Sequence, residues 1–384
     1  MRIPLLSFFT GGGFLDIGFE QAGFNVVWTN EIKSAFADMY EAGLSSLRKS
    51  QGRFEADAKV AARTSITNLK ANEIFEMAFG SDKPSLFGIV GGSPCPDFSV
   101  SGNNEGVNGE RGKLTQVFVN LICDIRPPFF VMENVPGLFR QKKHKPYLKR
   151  MLAQFTNGKA GYIVDVKILN ALEFGVPQER ERVFIIGFQK EFISSALLSK
   201  ILLGAGNWFP WPEPVFPGAK HYPWPGVSPF GGNVSAPANI PVELTVNPLL
   251  SGNVEDLPNG NEVFKAYSKK FWQIDEGDVS GKSFKRLHRY RYSPTAWYGN
   301  NEVHIHPWKP RRLSVREALR IQTVPDEYIL PPDFSLTDKF KMITNGVPCQ
   351  LAEHLAQSIM TFLGEDCEES SINRSRKAQI ADVI

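Results

Sequence analysis

Residues 3–30 read IPLLSFFTGGGFLDIGFEQAGFNVVWTN, and this stretch decides the fold. An apolar run ends in three glycines, a helical pattern follows and closes at Gly23, and FNVVWTN is again strand-like. The runs SLFGIVGG, PPFFVMENV, YIVDVKILN and RVFIIGF continue the alternation with helical stretches. Because strands that alternate with helices build parallel sheets, the sequence predicts an α/β fold with a mostly parallel sheet and helices on both faces.

Beyond residue 190 the pattern changes. From about 191 to 310 proline and glycine are dense and helical periodicity disappears, until helical patterns return in LSVREALRIQ and CQLAEHLAQSIMTFL. We therefore divide the chain into a first domain at 1–190, a smaller, irregular second domain at 191–318, and a segment at 319–384 that returns to the first domain. The polar residues after about Gly364 are expected to form a loose tail.

The composition of this 384-residue chain is that of an ordinary globular protein, with 42% hydrophobic and 22% charged residues. Its four cysteines form no CxxC pair, so neither a disulfide framework nor a metal site is predicted. The N-terminus reads as a strand and turn rather than a signal peptide, and no run approaches the roughly 18 apolar residues of a membrane span. We therefore expect a cytoplasmic protein that does not enter membranes.

The formal net charge of +3 is too small to indicate a nucleic-acid partner by itself, but its distribution is uneven. Residues 281–320 concentrate basic side chains, with tyrosine and tryptophan interleaved. Such a stretch predicts either a path for a phosphate backbone or a solvated surface. Its ten basic residues are Lys282, Lys285, Arg286, Arg289, Arg291, Lys309, Arg311, Arg312, Arg316 and Arg320.

Four loops follow predicted strands, and in a parallel sheet they meet at one edge, where ligands bind. In the triple-glycine turn at 11–13, missing side chains let a ligand approach the backbone and the helix N-terminus. Glu31 ends the second strand, where a carboxylate accepts hydrogen bonds from ribose hydroxyls; the alternative is a surface carboxylate. The pair indicates an adenosine-containing cofactor, although the G-x-G-x-x-G of dinucleotide sites is absent in that spacing.

The other two loops hold a cysteine and a glutamate. Cys95 lies between two prolines in GGSPCPDFSVSG with no histidine nearby, although a papain-type nucleophile needs a basic partner. Glu133 ends a strongly apolar strand, where burial raises the pKa of a carboxyl group and lets it donate a proton; helix capping by Glu133 or Asn134 is the alternative. Further along, QERER presents three side chains on one face, to contact an anion or to form ordinary surface charge: Gln178, Arg180 and Arg182.

Together these stretches resemble one family, the DNA (cytosine-5) methyltransferases. GGSPCPDFSVSG is similar to the family's catalytic Pro-Cys loop, MENV to its catalytic glutamate motif and QERER to its Gln-x-Arg-x-Arg motif. SFFTGGGFLDIGF resembles the cofactor loop, and TNEI resembles the acidic cofactor contact. RRLSVREALRIQTVPDEY resembles the segment that packs the target domain on the catalytic one, and ITNGVP resembles the late Asn-x-Val-Pro motif. Order and spacing agree over nearly the whole chain, except at 191–288 and in the tail.

The resemblance implies an S-adenosylmethionine-dependent methyltransferase with a Rossmann-like sheet and an irregular target-recognition domain. The implied catalytic residues are Cys95, Glu133, Arg180 and Arg182. The implied cofactor site is formed by Phe9, Thr10, Gly11, Gly13, Glu31, Ile32, Ser65, Ile66, Pro94, Asn345 and Val347. Contacts to DNA are expected from Ser99, Gln178, Arg289 and Arg291. Of the QERER side chains, Arg182 is expected to contact the base, with the other two supporting the loop or a phosphate.

Three residues depart from the family's pattern. Phe14 stands where the cofactor loop usually has another glycine, and Thr344 replaces the glycine that usually precedes Asn345. Ser65 occupies the place of an aspartate that usually holds the adenine amino group. These departures concern the fine contacts to the cofactor and not the chemistry.

The implied reaction adds the Cys95 thiolate to C6 of a flipped-out cytosine in duplex DNA and transfers a methyl group to C5. The implied partners are double-stranded DNA and companion restriction or phage-defence proteins, with the enzyme acting as a monomer. Three alternatives stay open: an RNA methyltransferase of the same fold, whose Cys-Phe-Thr signature is absent here; a silent DNA-binding scaffold; and a nicotinamide oxidoreductase, which leaves the cysteine loop unexplained.

Overall fold

The computed structural model describes residues 2–53, 57–82, 84–93, 110–157, 161–204, 208–298 and 302–364. Its central sheet has the strand order β2-β1-β3-β4-β6-β5. These strands are β1 Ile3–Phe8, β2 Phe24–Asn30, β3 Gly88–Gly92, β4 Phe129–Asn134, β5 Tyr162–Asn170 and β6 Glu181–Gln189. Strands β2, β1, β3 and β4 pair in parallel, whereas β6 is antiparallel to both of its neighbours. The mostly parallel sheet expected from the sequence is confirmed, with one reversed strand.

Helices follow most strands, as the alternation predicted. They are α1 Phe14–Gln21, α2 Ser34–Ser50, α3 Ala71–Phe79, α4 Glu110–Ile125, α5 Gly137–Arg140, α6 Lys145–Asn157, α7 Ser195–Leu202, α8 Asn247–Leu250, α9 Lys270–Gln273, α10 Val315–Ile321, α11 Leu336–Asn345 and α12 at 349–364. Among the described residues, no helix has both the length and the apolar character needed to cross a membrane.

Alternate residues of each strand point to opposite faces, and each face is covered by helices. Leu5 and Val131 pack on the face with α1, α7 and α12, while Leu6 and Met132 pack on the face with α3, α4 and α6. The first helix and the last approach closely, because a Cβ at Gly18 would lie 2.5 Å from the Cβ of Ala352. The sheet is therefore buried on both faces, which explains its nearly continuous apolar strands.

The reversed strand positions a second set of functional residues. Because β6 runs against β4, it begins at the edge where β4 ends, and Asn134 is paired with Val183. The QERER segment therefore lies at the same edge as the loops that follow the parallel strands.

The second domain is irregular, with short helices and one parallel pair, β7 Phe284–Arg286 and β8 Val303–Ile305. Part of its apolar residues shares the core of the first domain, since Leu287 and Tyr298 belong to the same buried cluster as Phe14 and Tyr40. Phe271, Val303 and Ile305 form a small cluster of their own. The proposed boundary at 318/319 falls inside α10, whose first turn is held by a capping box between Ser314 and Glu317. The division of the chain into domains stays a prediction.

Candidate active site

Glu133 lies at the end of β4 and forms an ion pair with Arg182, with 2.8 Å between Oε1 and Nε. Burial raises the pKa of Glu133, and the two neighbouring cations, Arg182 and Arg180, oppose that shift. Helix capping does not explain this segment: α5 begins without a side-chain cap, and the Asn134 amide donates to Ser93 Oγ at 3.4 Å. The site therefore holds a buried carboxyl group that can change its protonation state beside a fixed cation.

Arg180 is fully buried, so ordinary surface charge is the wrong interpretation for it. Its Nη2 donates to the Thr344 carbonyl at 2.7 Å, while its Nε has no hydrogen-bond partner among the described residues. Burial and the adjacent Arg182 lower the pKa of Arg180. A buried guanidinium with an unused donor beside Glu133 can hold an incoming polar group.

Gln178 is also fully buried. Its amide nitrogen donates to the Ile321 carbonyl at 3.3 Å, and its amide oxygen accepts from the Ala296 N–H at 3.0 Å. One side chain thus joins the entry to β6, the helix α10 and the end of the second domain. Two roles were expected for Gln178, contact with DNA and support of the loop. Its burial leaves no surface for direct contact with DNA and favours support of the loop.

The triple-glycine turn follows β1 with an unusual backbone: φ is 55° at Phe9, 55° at Gly11 and 72° at Gly13. Glu31 accepts a hydrogen bond from the Gly11 N–H at 3.0 Å and a second from the Lys33 N–H at 2.8 Å. Glu31 is 8% exposed, so the surface-carboxylate alternative is wrong, and burial raises its pKa. The turn and the acidic residue therefore form one hydrogen-bonded unit at the sheet edge.

The segment 62–68 is brought to the same edge by Asn30, whose amide donates to the carbonyls of Ala62 and Thr64 at 2.8 and 2.9 Å. Ser65 accepts the Thr67 N–H at 3.3 Å and caps a single 3-10 turn. Ile66 is buried in the core, whereas Ile32 is 63% exposed. Among the described residues of the predicted cofactor site, Ile32 thus has the most apolar surface open to a ligand.

The end of α11 and the residues after it complete this edge, with Asn345 exposed and Val347 buried in the core. Two departures from the family pattern have structural explanations here. The Phe14 ring packs edge-on against Tyr328, with centroids 5.9 Å apart, and leaves the glycine turn toward the core. Thr344 Oγ1 accepts the Tyr298 N–H at 3.1 Å, an interaction that glycine could not make, and so ties the second domain to α11.

Pro94, Cys95 and Ser99 lie outside the described residues. Of the other cysteines, Cys123 and Cys349 are described; burial raises the pKa of Cys123 to about 11 and raises that of Cys349 as well. Both thiols therefore stay protonated at neutral pH. Ser93, which the sequence did not single out, bonds Thr115 with 2.9 Å between their hydroxyl oxygens, and its position directly before the Pro-Cys loop was the signal that could have indicated it.

The basic stretch 281–320 corrects an expectation, since neither a phosphate path nor a solvated surface describes most of it. Arg286 and Arg316 are fully buried and donate to backbone carbonyls. Ion pairs hold five further charges: Lys285 with Glu302, Arg289 with Glu276, Lys309 with Glu255, Arg311 with Glu317 and Arg320 with Asp326. These cations stabilise the irregular domain from inside. Arg291 keeps its guanidinium partly exposed, with a 3.4 Å contact to the Pro225 carbonyl.

The sheet order with its reversed strand, and the acidic residue beside a glycine turn, define a methyltransferase of Rossmann-like α/β fold. The model of the C-5 cytosine-specific DNA methylase family matches residues 3–361. Type II methyltransferase M.NmeDI of Neisseria meningitidis serogroup C is 42% identical over 95% of this chain and 85% of its own length. Type II methyltransferase M.MthTI of Methanothermobacter thermautotrophicus is 30% identical over 94% and 97%.

Among solved structures, the S. pombe Dnmt2 methyltransferase covers 94% of this chain and 99% of its own, with a TM-score of 0.57 at 12% identity, which shows a shared fold. The chain belongs to the C-5 cytosine-specific DNA methylase family and is a DNA cytosine-5-methyltransferase. This membership confirms the resemblance read from the motifs. It also decides against the nicotinamide oxidoreductase.

Proposed function

We propose that this enzyme transfers the methyl group of S-adenosylmethionine to C5 of a flipped-out cytosine in a specific duplex sequence, with Cys95 as the covalent nucleophile. The observation that carries the proposal is the buried Glu133–Arg182 pair at the end of β4. Glu133 is the Cα partner of Gly92, and Cys95 follows Gly92 by three residues in the chain. The carboxyl group and the guanidinium therefore lie at the edge of the sheet where β3 ends, and the sequence continues from β3 into the Pro-Cys loop.

The residues at the neighbouring strand ends fit an adenosine-containing methyl donor. The buried Glu31 carboxylate suits ribose hydroxyls, the exposed Ile32 suits the face of an adenine, and Thr10 has a buried Oγ1 without a partner among the described residues. When bound, S-adenosylmethionine supplies an electrophilic methyl group. The chain's own task is to hold it beside the cytosine and to exclude water from the site.

Cytosine C5 is a poor nucleophile, so the Cys95 thiolate first forms a bond to C6 and moves electron density toward N3 and C5. A free thiol with a pKa near 8.5 is only a few per cent thiolate at neutral pH, and nearby cations raise that fraction. Glu133, held by Arg182, hydrogen-bonds N3 and the exocyclic amine and offsets the charge that develops there. C5 then takes the methyl group, the C5 proton leaves to a base, and the C6–sulfur bond breaks to return the thiolate.

Inside a duplex, C6 is inaccessible, and flipping the base out costs a few kcal/mol. The irregular domain at 191–318 supplies the surface opposite the catalytic edge, which reads the DNA sequence through the major groove. Its attachment through Thr344 and Gln178 supports this role, because both join it to residues beside Glu133. The names of its relatives, type II methyltransferases, support a role in host DNA modification beside a restriction nuclease or other phage defence.

The proposal is tested with duplex DNA that carries 5-fluorocytosine at the target, after bisulfite sequencing of host DNA has identified that target. Fluorine cannot leave C5 as a cation, so the cycle stops after methyl transfer with enzyme and DNA covalently joined. We expect a denaturant-resistant adduct that forms only with S-adenosylmethionine and disappears in Cys95→Ser, since a hydroxyl is far less ionised than a thiol at neutral pH.

The matched controls are Cys123→Ser and Cys349→Ser, which remove thiols whose pKa is raised by burial and should keep the adduct. Cys367, which lies outside the described residues, is tested in the same way. An adduct that survives loss of Cys95 overturns the mechanism.

A further inference from the structure

One part of the catalytic half carries an uneven charge that the reaction does not use. Between Glu133 and Asp165 the sequence contains no acidic residue and seven basic ones. Six of the seven fall in the short segment 140–150, which reads RQKKHKPYLKR. A run without any carboxylate cannot neutralise itself locally.

The tertiary structure neutralises only part of this charge. Arg140 is paired with Glu181, with 2.9 Å between Nη2 and Oε1. Four other cations are exposed and form neither an ion pair nor a hydrogen bond with the residues that the structure describes: Lys142, Lys145, Lys149 and Arg150. This contrasts with the stretch 281–320, where most cations have internal partners.

The position of these four side chains relates them to the catalytic edge. The helix α5 begins just after Asn134, and α6 then runs back along the sheet from that edge. On α6, Tyr147 and Met151 face the core, which fixes the helix, while Lys145 and Lys149 lie one turn apart on its outer side. Lys142 and Lys145 therefore lie on the rim of the sheet where β4 ends, and Lys149 and Arg150 follow within about one and a half turns of α6, all exposed to solvent.

We propose that Lys142, Lys145, Lys149 and Arg150 bind phosphates of the DNA duplex beside the target cytosine. The inference rests on the proposed function, because a base held at Glu133 places its own strand along this rim. Unpaired cations with long side chains suit phosphate binding, since each releases a condensed counterion from the DNA without first breaking an internal ion pair. The surface carries no sequence information and fixes the position of the duplex on the enzyme.

The experiment compares two double variants of the full chain that remove equal charge, Lys145→Gln/Lys149→Gln and Arg2→Gln/Lys190→Gln. Arg2 precedes β1 and Lys190 follows the end of β6, so both lie at the opposite edge of the sheet, and both are exposed. Binding of a labelled duplex of about 30 base pairs is measured by fluorescence anisotropy over a range of salt concentrations. This readout needs no catalysis and no knowledge of the target sequence.

We expect the slope of log Kd against log salt to fall by about 1.8 in the first variant, or 0.9 for each lost phosphate contact, and to be unchanged in the second. Lys145→Arg/Lys149→Arg, which keeps both charges and the helix, should retain the parent slope. An unchanged slope in the first variant overturns the proposal, whatever other anion the surface binds. Failure of the parent enzyme to methylate DNA would instead count against the proposed function, because the slope is read independently.

Discussion

The Glu133 carboxylate occupies the space that a side chain at Gly92 would need. A Cβ built on Gly92 would lie 2.3 Å from Glu133 Oε2, and the two residues are Cα partners between β3 and β4. The φ of Gly92 lies outside the left-handed region, so the backbone conformation does not require glycine at this position. Glycine is required because a larger residue would enter the space of the carboxylate. The carboxyl group is thereby held against the strand that leads into the Pro-Cys loop.

We therefore expect Gly92→Ala to lower the rate of methyl transfer by about 100-fold, since a misplacement of about 1 Å at a reacting group has an effect of that order. Single-turnover methylation of DNA gives the rate, and thermal unfolding shows whether the fold is retained. Gly226→Ala is the matched control, because a Cβ there meets nothing within 4 Å. Full activity in a folded Gly92→Ala protein would contradict the importance of this contact.

Ser65→Asp should leave S-adenosylmethionine binding intact or tighten it. Aspartate caps a helical turn as well as serine does, so the bond to the Thr67 N–H is retained, and the added carboxylate can accept from an adenine amino group. Titration calorimetry measures the affinity.

Glu31→Ala, which removes the proposed ribose contact, should weaken cofactor binding with little effect on DNA binding. If Glu31→Ala keeps full cofactor affinity, the cofactor site is misassigned.

Phe14 and Gly346 should be energetically coupled, because a Cβ at Gly346 would lie 2.2 Å from Phe14 Cδ2. We expect Gly346→Ala to destabilise the protein by about 1–3 kcal/mol through overpacking. In the Phe14→Ala background the same change should have a much smaller effect, giving a coupling energy on the order of 1 kcal/mol in a double-mutant cycle. Urea unfolding measures each free energy. Strict additivity would show that the two residues do not share this space.

The pH dependence of stability should contain a contribution from Asp16, which accepts hydrogen bonds from Ser7 Oγ at 2.6 Å and Tyr40 Oη at 3.1 Å. Burial raises the pKa of Asp16 to about 6, so the folded state binds its proton more tightly than the unfolded state does. The stability from this proton is present at low pH and is lost as pH rises through about 6. Asp16→Asn should remove a fall of roughly 3 kcal/mol in unfolding free energy between about pH 4 and pH 7.

Urea unfolding at several pH values measures this effect. Asp256→Asn, at an exposed carboxylate, is the control and should follow the parent protein. Parallel curves for the parent and Asp16→Asn would contradict the assignment.

Arg289 and Arg291 should behave differently, although both were expected to contact DNA. Arg289 donates from Nε and Nη2 to the fully buried Glu276 at 2.8 and 2.7 Å. Arg289→Ala leaves that carboxylate without its cation, with only the backbone N–H of residue 289 still donating to it, and a loss of about 3–5 kcal/mol in stability is expected. Arg291→Ala should keep the stability and reduce the salt dependence of DNA binding. Chemical unfolding and anisotropy titrations separate the two effects; a stable Arg289→Ala protein would contradict the first.

The sequence predicted the strands well because apolar runs between helical stretches are a direct consequence of burial on both faces. It did not predict that β6 is reversed, since an apolar run carries no direction. That reversal is what brings Arg182 to Glu133, residues far apart in the chain. Their association was expected only because the motifs resemble a known family.

The charges of the second domain were harder to interpret than its irregular backbone. A count of basic residues shows how many cations are present and not which carboxylates or carbonyls the fold brings to them. Arg289 meets Glu276 and Arg320 meets Asp326 through tertiary packing. Conversely, the sequence did not indicate that Lys142, Lys145, Lys149 and Arg150 are unpaired, because free charge is apparent only after the paired charge has been identified.

The close approach of Gly18 to Ala352 has a consequence for synthesis on the ribosome. The first helix of the sheet is completed by a helix near the other end of the chain, so α1 keeps an uncovered apolar face while more than 300 residues are translated. A nascent chain, or one released before residue 349, exposes that face to chaperones and proteases. Modification of DNA must therefore wait until α12, at 349–364, has been translated.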